Sequence, residues 1–284
     1  MTGAASPVWW ARWGPLSAWL AASRPPLSPP ILLLSFPRSG SSWLGETLGQ
    51  AANALYLREP INLSYQADGG RGTVVEIDPA RPLPAYRLAA TRAFHGIPAF
   101  KPGIVQWPDQ WRLAQRSQRR VVIKEVNPRA CPWFLAAFRP RVVFLVRHPA
   151  AVCLSYRRMG WWQGTTPEQW EGHGARQAGA LRVALDALRE YPDQRIVTYE
   201  DLCAEPMTAF RSLFAFCALT WDAGSEAFIQ GHTTQGDDAP GSTSRHSQAM
   251  PDAWRGRVSA EELAALRRGF AAASLPWYNH DDDW

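Results

Sequence analysis

A loop of small, polar and basic residues follows an apolar run near the start of the chain. The loop reads FPRSGSSW over residues 36–43. Arg38 supplies a permanent charge that can bind phosphate or sulfate oxygens through parallel hydrogen bonds, and Gly40 lets the backbone approach an anion. Three hydroxyl donors surround this glycine: Ser39, Ser41 and Ser42. With the free N–H groups at the start of a following helix, these residue types predict an anion site.

The loop differs from the nucleotide-triphosphatase loop G-x-x-x-x-G-K-S/T at its catalytic position. When Gly40-Ser41-Ser42 is aligned with G-K-S/T, Ser41 replaces the lysine and Ser35 replaces the first glycine. The positive charge stands before the glycine, at Arg38, instead of after it. These differences disfavour a kinase or ATPase. A serine-rich turn that only caps a helix is the structural alternative.

Arg147 places a second cation at the end of another apolar segment, RVVFLVR (141–147). Pro149 suits the first turn of a following helix, and Ser155 lies further along that helix. The ends of parallel strands meet at the edge of the sheet where α/β proteins bind ligands. Arg147 and Ser155 can therefore face the same cleft as the loop at 36–43. Pairing of Arg147 with a nearby carboxylate is the alternative.

Continuous apolar segments alternate with helical segments, which predicts a parallel sheet covered by helices on both faces. Strands are predicted at 31–35, 54–57, 73–77, 120–126, 141–147 and 195–200. Helices are predicted at 41–52, 85–94, 132–138, 175–189 and 207–218, and a capping box at 259–262 opens a last helix that runs to about residue 272. The proline-rich segment 23–30 predicts a connector that is neither helix nor central strand. We expect an N-terminal extension, 1–29, and one α/β domain, 30–284.

The composition favours a globular protein with a local anion site over a nucleic-acid-binding surface. The 284 residues are 46% hydrophobic and 19% charged, with a net charge of +5 and no long run of Lys or Arg. The four cysteines have neither metal-ligand spacing nor the density of a disulfide scaffold, which favours a cytoplasmic protein. No run approaches the roughly 18 apolar residues of a membrane span. A stripe at helical spacing predicts a packing surface, with peripheral membrane contact as the alternative: Trp9, Trp13, Leu16 and Leu20.

Both anion motifs resemble those of sulfotransferases that use 3′-phosphoadenosine 5′-phosphosulfate (PAPS). The segment FPRSGSSWLGETL (36–48) resembles the loop that binds the 5′-phosphosulfate, and RSGSSWLGETLGQAANALYLREP (38–60) is most similar to carbohydrate sulfotransferases and their bacterial relatives. The segment VVFLVRHPAAVCLSYRRMG (142–160) resembles the 3′-phosphate motif, which carries an Arg and a Ser eight residues apart, here Arg147 and Ser155. The resemblance covers about 30–278 and implies a P-loop-like, three-layer α/β fold.

Further cofactor contacts are implied by the same resemblance. An aromatic residue at the position of Trp43 stacks on adenine in the family, although Trp43 could instead belong to the core. The segment STSRHSQAMPDAWRGRVS (242–259) resembles the C-terminal loop that closes over the 3′ end of the cofactor. Arg245 and His246 stand near the Arg-Lys pair of cytosolic members, but His246 replaces the lysine and Ser247 replaces the usual glycine.

The segment that carries the general base in cytosolic members has a different sequence here. Those members have Lys-Thr-His in the strand before the 3′-phosphate motif, with the histidine as the base. The segment VIKEVNP (122–128) retains Lys124, a candidate electrophile near the bridging oxygen, but has Val126 in place of the histidine. Carbohydrate-type and several bacterial members use a carboxylate after the phosphosulfate loop, and Glu59 fits that position. Partial burial would raise its pKa and suit it to base catalysis. Glu125 is a second candidate, and a surface Glu59 paired with an arginine is the alternative.

These expectations describe a PAPS-dependent sulfotransferase that transfers a sulfuryl group in line to a hydroxyl of a carbohydrate, glycolipid or small metabolite. The expected ligands are PAPS, released as 3′-phosphoadenosine 5′-phosphate (PAP), and the acceptor, with no metal ion and no nucleic acid. The aromatic segments 79–111 and 156–170 are candidates for the acceptor pocket. A P-loop nucleotide kinase or phosphotransferase is the alternative enzyme class. A nucleotide-binding module without catalysis is the alternative outside enzymes.

Overall fold

Five parallel strands form one sheet in the computed structural model, which describes residues 15–97, 103–234 and 250–284. In chain order they are β1 (Leu27–Ser35), β2 (Ala54–Arg58), β3 (Arg120–Glu125), β4 (Arg141–Val146) and β5 (Gln194–Thr198). Their spatial order is β2-β3-β1-β4-β5, with every neighbouring pair parallel. The expected parallel α/β sheet is confirmed. Because β1 is central, the loop that follows it opens at the middle of the sheet edge.

Helices cover both faces of the sheet. They are α1 (Pro15–Ser23), α2 (Ser41–Gly49), α3 (Pro60–Ala67), α4 (Pro84–Phe94), α5 (Cys131–Phe138), α6 (Pro149–Arg158), α7 (Pro167–Leu188), α8 (Tyr199–Ala204), α9 (Pro206–Cys217), α10 (Ala223–Thr234) and α11 (Ala260–Ala271). Side chains alternate along β1, so Ile31 and Leu33 pack toward α2 and α9. Leu32 and Leu34 pack toward α4, α5 and α7. This arrangement is the expected three-layer architecture.

The proline-rich connector is partly strand, contrary to the expectation. β1 begins at Leu27, so Pro29 and Pro30 lie in the central strand. The ladder with β3 changes register between Leu27 and Ile31, and the two prolines occupy this irregular part. A proline is tolerated there because it does not have to donate a hydrogen bond to a regular ladder. The division of the chain at residues 29 and 30 stays a prediction.

The segment 73–77 is not a strand, so that prediction is wrong. Val74 and Val75 are partly buried against the core without joining the sheet. The Val75 carbonyl instead accepts a hydrogen bond of 2.9 Å from the side chain of Asn127. Helix α3 was absent from the sequence-based expectation, because a short polar helix lacks a clear apolar period. Among the described residues, none of the helices combines the length and apolar character needed to cross a membrane.

Candidate active site

A cleft of about 670 Å³ lies at the carboxyl edge of the sheet. The loops that follow β1, β2 and β4 form its walls, as parallel topology requires. Nine of the residues selected from the sequence line it: Arg38, Gly40, Ser41, Ser42, Trp43, Glu59, Lys124, Arg147 and Ser155. Ser39 is fully buried and is not among the lining residues. The fold therefore gathers residues more than 100 positions apart into one polar cavity.

The loop between β1 and α2 turns through two residues in the left-handed region, Arg38 at φ 69° and Gly40 at φ 92°. Gly40 is the N-cap of α2, and none of the side chains that the structure describes caps the helix there. A Cβ atom at this position would lie 2.4 Å from the ring of Tyr199. Glycine is thus required by both the backbone conformation and the space. The uncapped helix start leaves N–H donors at the cleft, as an anion site needs.

The two predicted anion-binding segments contact each other directly. Arg38 Nε donates a hydrogen bond of 2.9 Å to Ser155 Oγ, and Arg147 Nη1 donates one of 3.3 Å to the carbonyl oxygen of Arg38. The Arg147 guanidinium also lies 4.0 Å from the ring centroid of Tyr199. Burial, and next the charge of Arg147, lower the pKa of Arg38. Two neighbouring cations at a helix start form a site that favours an anion.

Glu59 and Lys124 form an ion pair at the wall of the cleft. Lys124 Nζ donates a hydrogen bond to Glu59 Oε1, with 3% and 19% of the two side chains exposed. The Glu59 backbone has φ 46°, and its N–H donates to the Lys124 carbonyl at 2.7 Å. Burial alone would raise the pKa of Glu59, but Lys124, assisted by Arg58, holds it below the ordinary value. The expectation of a raised pKa was therefore wrong.

Glu125 does not face the cleft. The side chain is fully buried and is absent from the cleft lining. Its Oε1 accepts hydrogen bonds from the backbone N–H groups of Ile61, at 2.7 Å, and Asn62, at 3.3 Å. Burial and the nearby charge of Glu59 raise its pKa to about 8. Because Glu125 cannot reach a ligand in the cleft, Glu59 is the better candidate for the general base.

Trp43 is 5% exposed and forms part of both the core and the cleft lining. Its ring packs edge-on against Phe210, with centroids 5.1 Å apart, and against Tyr199, with centroids 6.0 Å apart. The core alternative accounts for most of its surface. Stacking on adenine stays a prediction for the small part that reaches the cleft.

Among the described residues, two histidines are buried, and both pack against aromatic rings. His148 stacks on Trp254 with centroids 4.5 Å apart, and its Nδ1 accepts from the backbone N–H of Ala150 at 3.2 Å. His173 lies against Phe36 and Tyr156. Burial lowers the pKa of His148 to about 3 and that of His173 to about 4, so both are neutral near pH 7.

Several cleft residues were missed by sequence reasoning. Three arginines join the lining: Arg58, Arg158 and Arg257. Arg158 lies three residues after Ser155 on α6, so helical spacing could have identified it. Arg257 lies in the segment 242–259 that resembles the loop closing over the cofactor, but the resemblance pointed to Arg245 and His246 within it. Arg245 and His246 lie outside the described residues and stay predictions. Within the described part of the chain, no group of three or more His, Cys, Asp or Glu side chains could hold a metal ion.

Comparison with known proteins agrees with this fold. The model of the sulfotransferase family matches residues 29–223. Human carbohydrate sulfotransferase 5 is 28% identical in an alignment that covers 86% of this chain and 75% of that protein.

Two solved structures share the fold at low sequence identity. The sulfotransferase domain from the curacin biosynthetic pathway has a TM-score of 0.50 and 18% identity, covering 86% of this chain and 98% of that one. Retinol dehydratase in complex with androsterone and the inactive cofactor PAP has a TM-score of 0.51 and 12% identity, covering 90% and 84%. Since the family match spans most of the chain, including the loop at 36–43 and both Arg147 and Ser155, the protein belongs to the sulfotransferase family.

Proposed function

We propose that this protein transfers a sulfuryl group from PAPS to a hydroxyl group of a carbohydrate or another small acceptor. The observation that carries the proposal is the contact between Arg38, Ser155 and Arg147 beside the uncapped start of α2. Two adjacent cations repel each other, and a bound anion relieves that repulsion. The relationship to human carbohydrate sulfotransferase 5 supports a carbohydrate acceptor.

PAPS has two anionic ends, and the cleft offers donors for both. Arg38, the hydroxyls of Ser41 and Ser42 and the first N–H groups of α2 suit the 5′-phosphosulfate. Arg147 and Ser155 suit the 3′-phosphate. Within the described residues, the buried Nε of Arg147 has no hydrogen-bond partner, which leaves a donor available for a ligand. This donor set fits the cofactor.

Glu59 and Lys124 have distinct roles in the proposed reaction. The lowered pKa of Glu59 keeps it ionised near neutral pH, so it can accept the proton of the acceptor hydroxyl. The acceptor oxygen forms the new bond to sulfur, and the bond from sulfur to the bridging phosphate oxygen breaks. Lys124 holds Glu59 in place and supplies positive charge where the leaving oxygen becomes negative.

A second groove, of about 410 Å³, adjoins the cleft and is our candidate for the acceptor site. Trp161 lines both cavities, is 58% exposed, and has the Arg38 guanidinium 5.3 Å from its ring centroid. Trp162 and Gln163 add an aromatic face and an amide, a combination that suits a sugar. Trp162→Ala should raise the KM for the acceptor and leave the Kd for PAP unchanged in calorimetry. An unchanged acceptor KM would move the acceptor site elsewhere.

The first test is a calorimetric titration with PAP beside ATP and magnesium. We expect PAP to bind, and Arg147→Ala to weaken its binding at least tenfold, which corresponds to about 1.4 kcal/mol. Arg189→Ala, at the exposed end of α7 and outside the lining of the cleft, is the control and should bind PAP normally. Binding of ATP alone would favour a nucleotide kinase. Binding of PAP without transfer from PAPS to any member of a panel of sugars and other small hydroxyl compounds would favour an inactive binding module.

A further inference from the structure

Two adjacent residues of β3, Lys124 and Glu125, point to opposite sides of the strand at the wall of the cleft. Lys124 faces the cleft and pairs with Glu59. Glu125 points to the opposite side of the strand, as alternation requires, and is completely buried at the start of α3. The proposed chemistry uses Lys124 and Glu59 but gives Glu125 no role.

Glu125 caps the start of α3, where the N-cap residue of that helix makes no capping hydrogen bond. Glu59 is the N-cap of α3, but its carboxylate is engaged by Lys124 and makes no capping hydrogen bond. The first N–H groups of a helix have no carbonyl partner within the helix. Two of them, from Ile61 and Asn62, donate to Glu125 Oε1 instead, at 2.7 and 3.3 Å. The capping oxygen thus comes from a strand more than 60 residues away.

This cap fixes the part of the chain that presents the candidate base. Glu59 has a left-handed backbone with φ 46°, an uncommon conformation for a non-glycine residue. Its N–H bonds the Lys124 carbonyl at 2.7 Å on one side, and α3 begins at Pro60 on the other. Asn62 and Leu63 of the same helix also line the cleft. A shift of the α3 start would therefore move the base and this wall together.

We propose that Glu125 is a positioning residue, which holds the start of α3 and thereby keeps the Glu59 carboxylate aligned for catalysis. The proposal rests on the proposed function for its kinetic consequence, but the capping itself does not. Complete burial excludes direct contact with a ligand in the cleft. The raised pKa of Glu125 indicates that the protonated, neutral carboxyl predominates near pH 7. Glutamine resembles that form and retains the accepting oxygen.

Two substitutions separate positioning from simple core packing. Glu125→Gln preserves an acceptor for both N–H groups, whereas Glu125→Met has a similar length and removes it. We expect Glu125→Gln to keep kcat within about threefold of the unaltered protein. Glu125→Met should lower kcat about 10- to 100-fold, because small misplacement of a catalytic group is costly. The Kd for PAP should stay unchanged in both variants, and Glu190→Met, at an exposed position, is the control.

Amide hydrogen exchange tests the cap without any reference to sulfuryl transfer. Glu125→Met should accelerate exchange at residues 61–63 and leave β1 and β4 protected, while Glu125→Gln should match the unaltered protein. Unaltered exchange and unaltered kcat in Glu125→Met would each overturn the proposal. An equal loss of kcat in Glu125→Gln and Glu125→Met would also overturn the proposal. Loss of PAP binding in Glu125→Met would overturn it too, because it would indicate general disruption of the fold. Absence of transfer by the unaltered protein, with the expected exchange pattern, would refute only the proposed function.

Discussion

Replacement of Glu125 by glutamine should change how the stability of the protein depends on pH. Burial and the charge of Glu59 raise the pKa of the Glu125 carboxyl to about 8 from an ordinary value of 4.5, while Lys124 and two backbone N–H groups oppose this rise. The hydroxyl of Tyr86 is a further titratable group close to it. At a pH between these two pKa values, Glu125 keeps its proton in the folded protein and has lost it in the unfolded chain. Unfolding then releases a proton, so the free energy of unfolding falls as pH rises.

The size of this effect follows from the linkage relation. Within the window between pH 4.5 and about 8, each pH unit changes the free energy of unfolding by about 1.4 kcal/mol. From pH 5 to pH 8, the unaltered protein should therefore lose at most roughly 4 kcal/mol relative to Glu125→Gln, which cannot ionise. Below the window both states are protonated, and above it both are ionised, so the difference levels off on both sides.

Urea denaturation at pH 5, 6, 7 and 8 measures this difference directly. The two proteins are compared at each pH, so all other titrating groups cancel to first order. Glu190→Gln is the matched control, because its side chain is exposed, and it should run parallel to the unaltered protein. Parallel curves for Glu125→Gln would refute the reasoning, since they would mean that the carboxyl has the same pKa in both states. A gain in relative stability with rising pH would mean that Glu125 is ionised and stabilising.

Three further predictions concern the cleft. Glu59→Gln should lower kcat by about 100-fold or more, the usual contribution of a general base, with the Kd for PAP unchanged in calorimetry; normal turnover would exclude Glu59 as the base. Lys124→Met should remove the charge and hydrogen bond that lower the pKa of Glu59, so any surviving activity should decline at a higher pH on the acidic side. Gly40→Ala should weaken PAP binding at least tenfold, about 1.4 kcal/mol, because the new methyl group would lie 2.4 Å from the Tyr199 ring. Gly231→Ala, where a Cβ would meet no atom of the described residues within 4 Å, should bind PAP normally.

The expected sheet and anion loop could be predicted because their signals are local. Each buried strand is a short apolar run, and the loop after β1 contains its arginine, serines and glycine within five consecutive residues. Arg147 follows directly from the end of β4. Residues at the carboxyl ends of parallel strands lie at one edge of the sheet, so prediction of the strands that became β1 and β4 placed Arg38 and Arg147 at the same edge.

Local signals misled where long-range pairing decided the outcome. The prolines at 29 and 30 argue against a central strand, yet the irregular ladder between Leu27 and Ile31 accommodates them. The valines at 74 and 75 suggest a strand, but none of the described strands pairs with them, and they pack against the core instead. In both places the pairing available in the whole sheet, and not the local strand propensity, decides whether a strand forms.

The sequence by itself determined which chemical groups are present at the active site and the strand ends that carry them. The tertiary structure alone decided what surrounds each group. Glu59 and Lys124 are 65 residues apart, and their contact reverses the pKa shift that burial would give Glu59. Glu125, beside Lys124 in the chain, is turned into the core to cap α3. The pKa of a side chain depends on its desolvation and on nearby charges, and these are properties of three-dimensional packing.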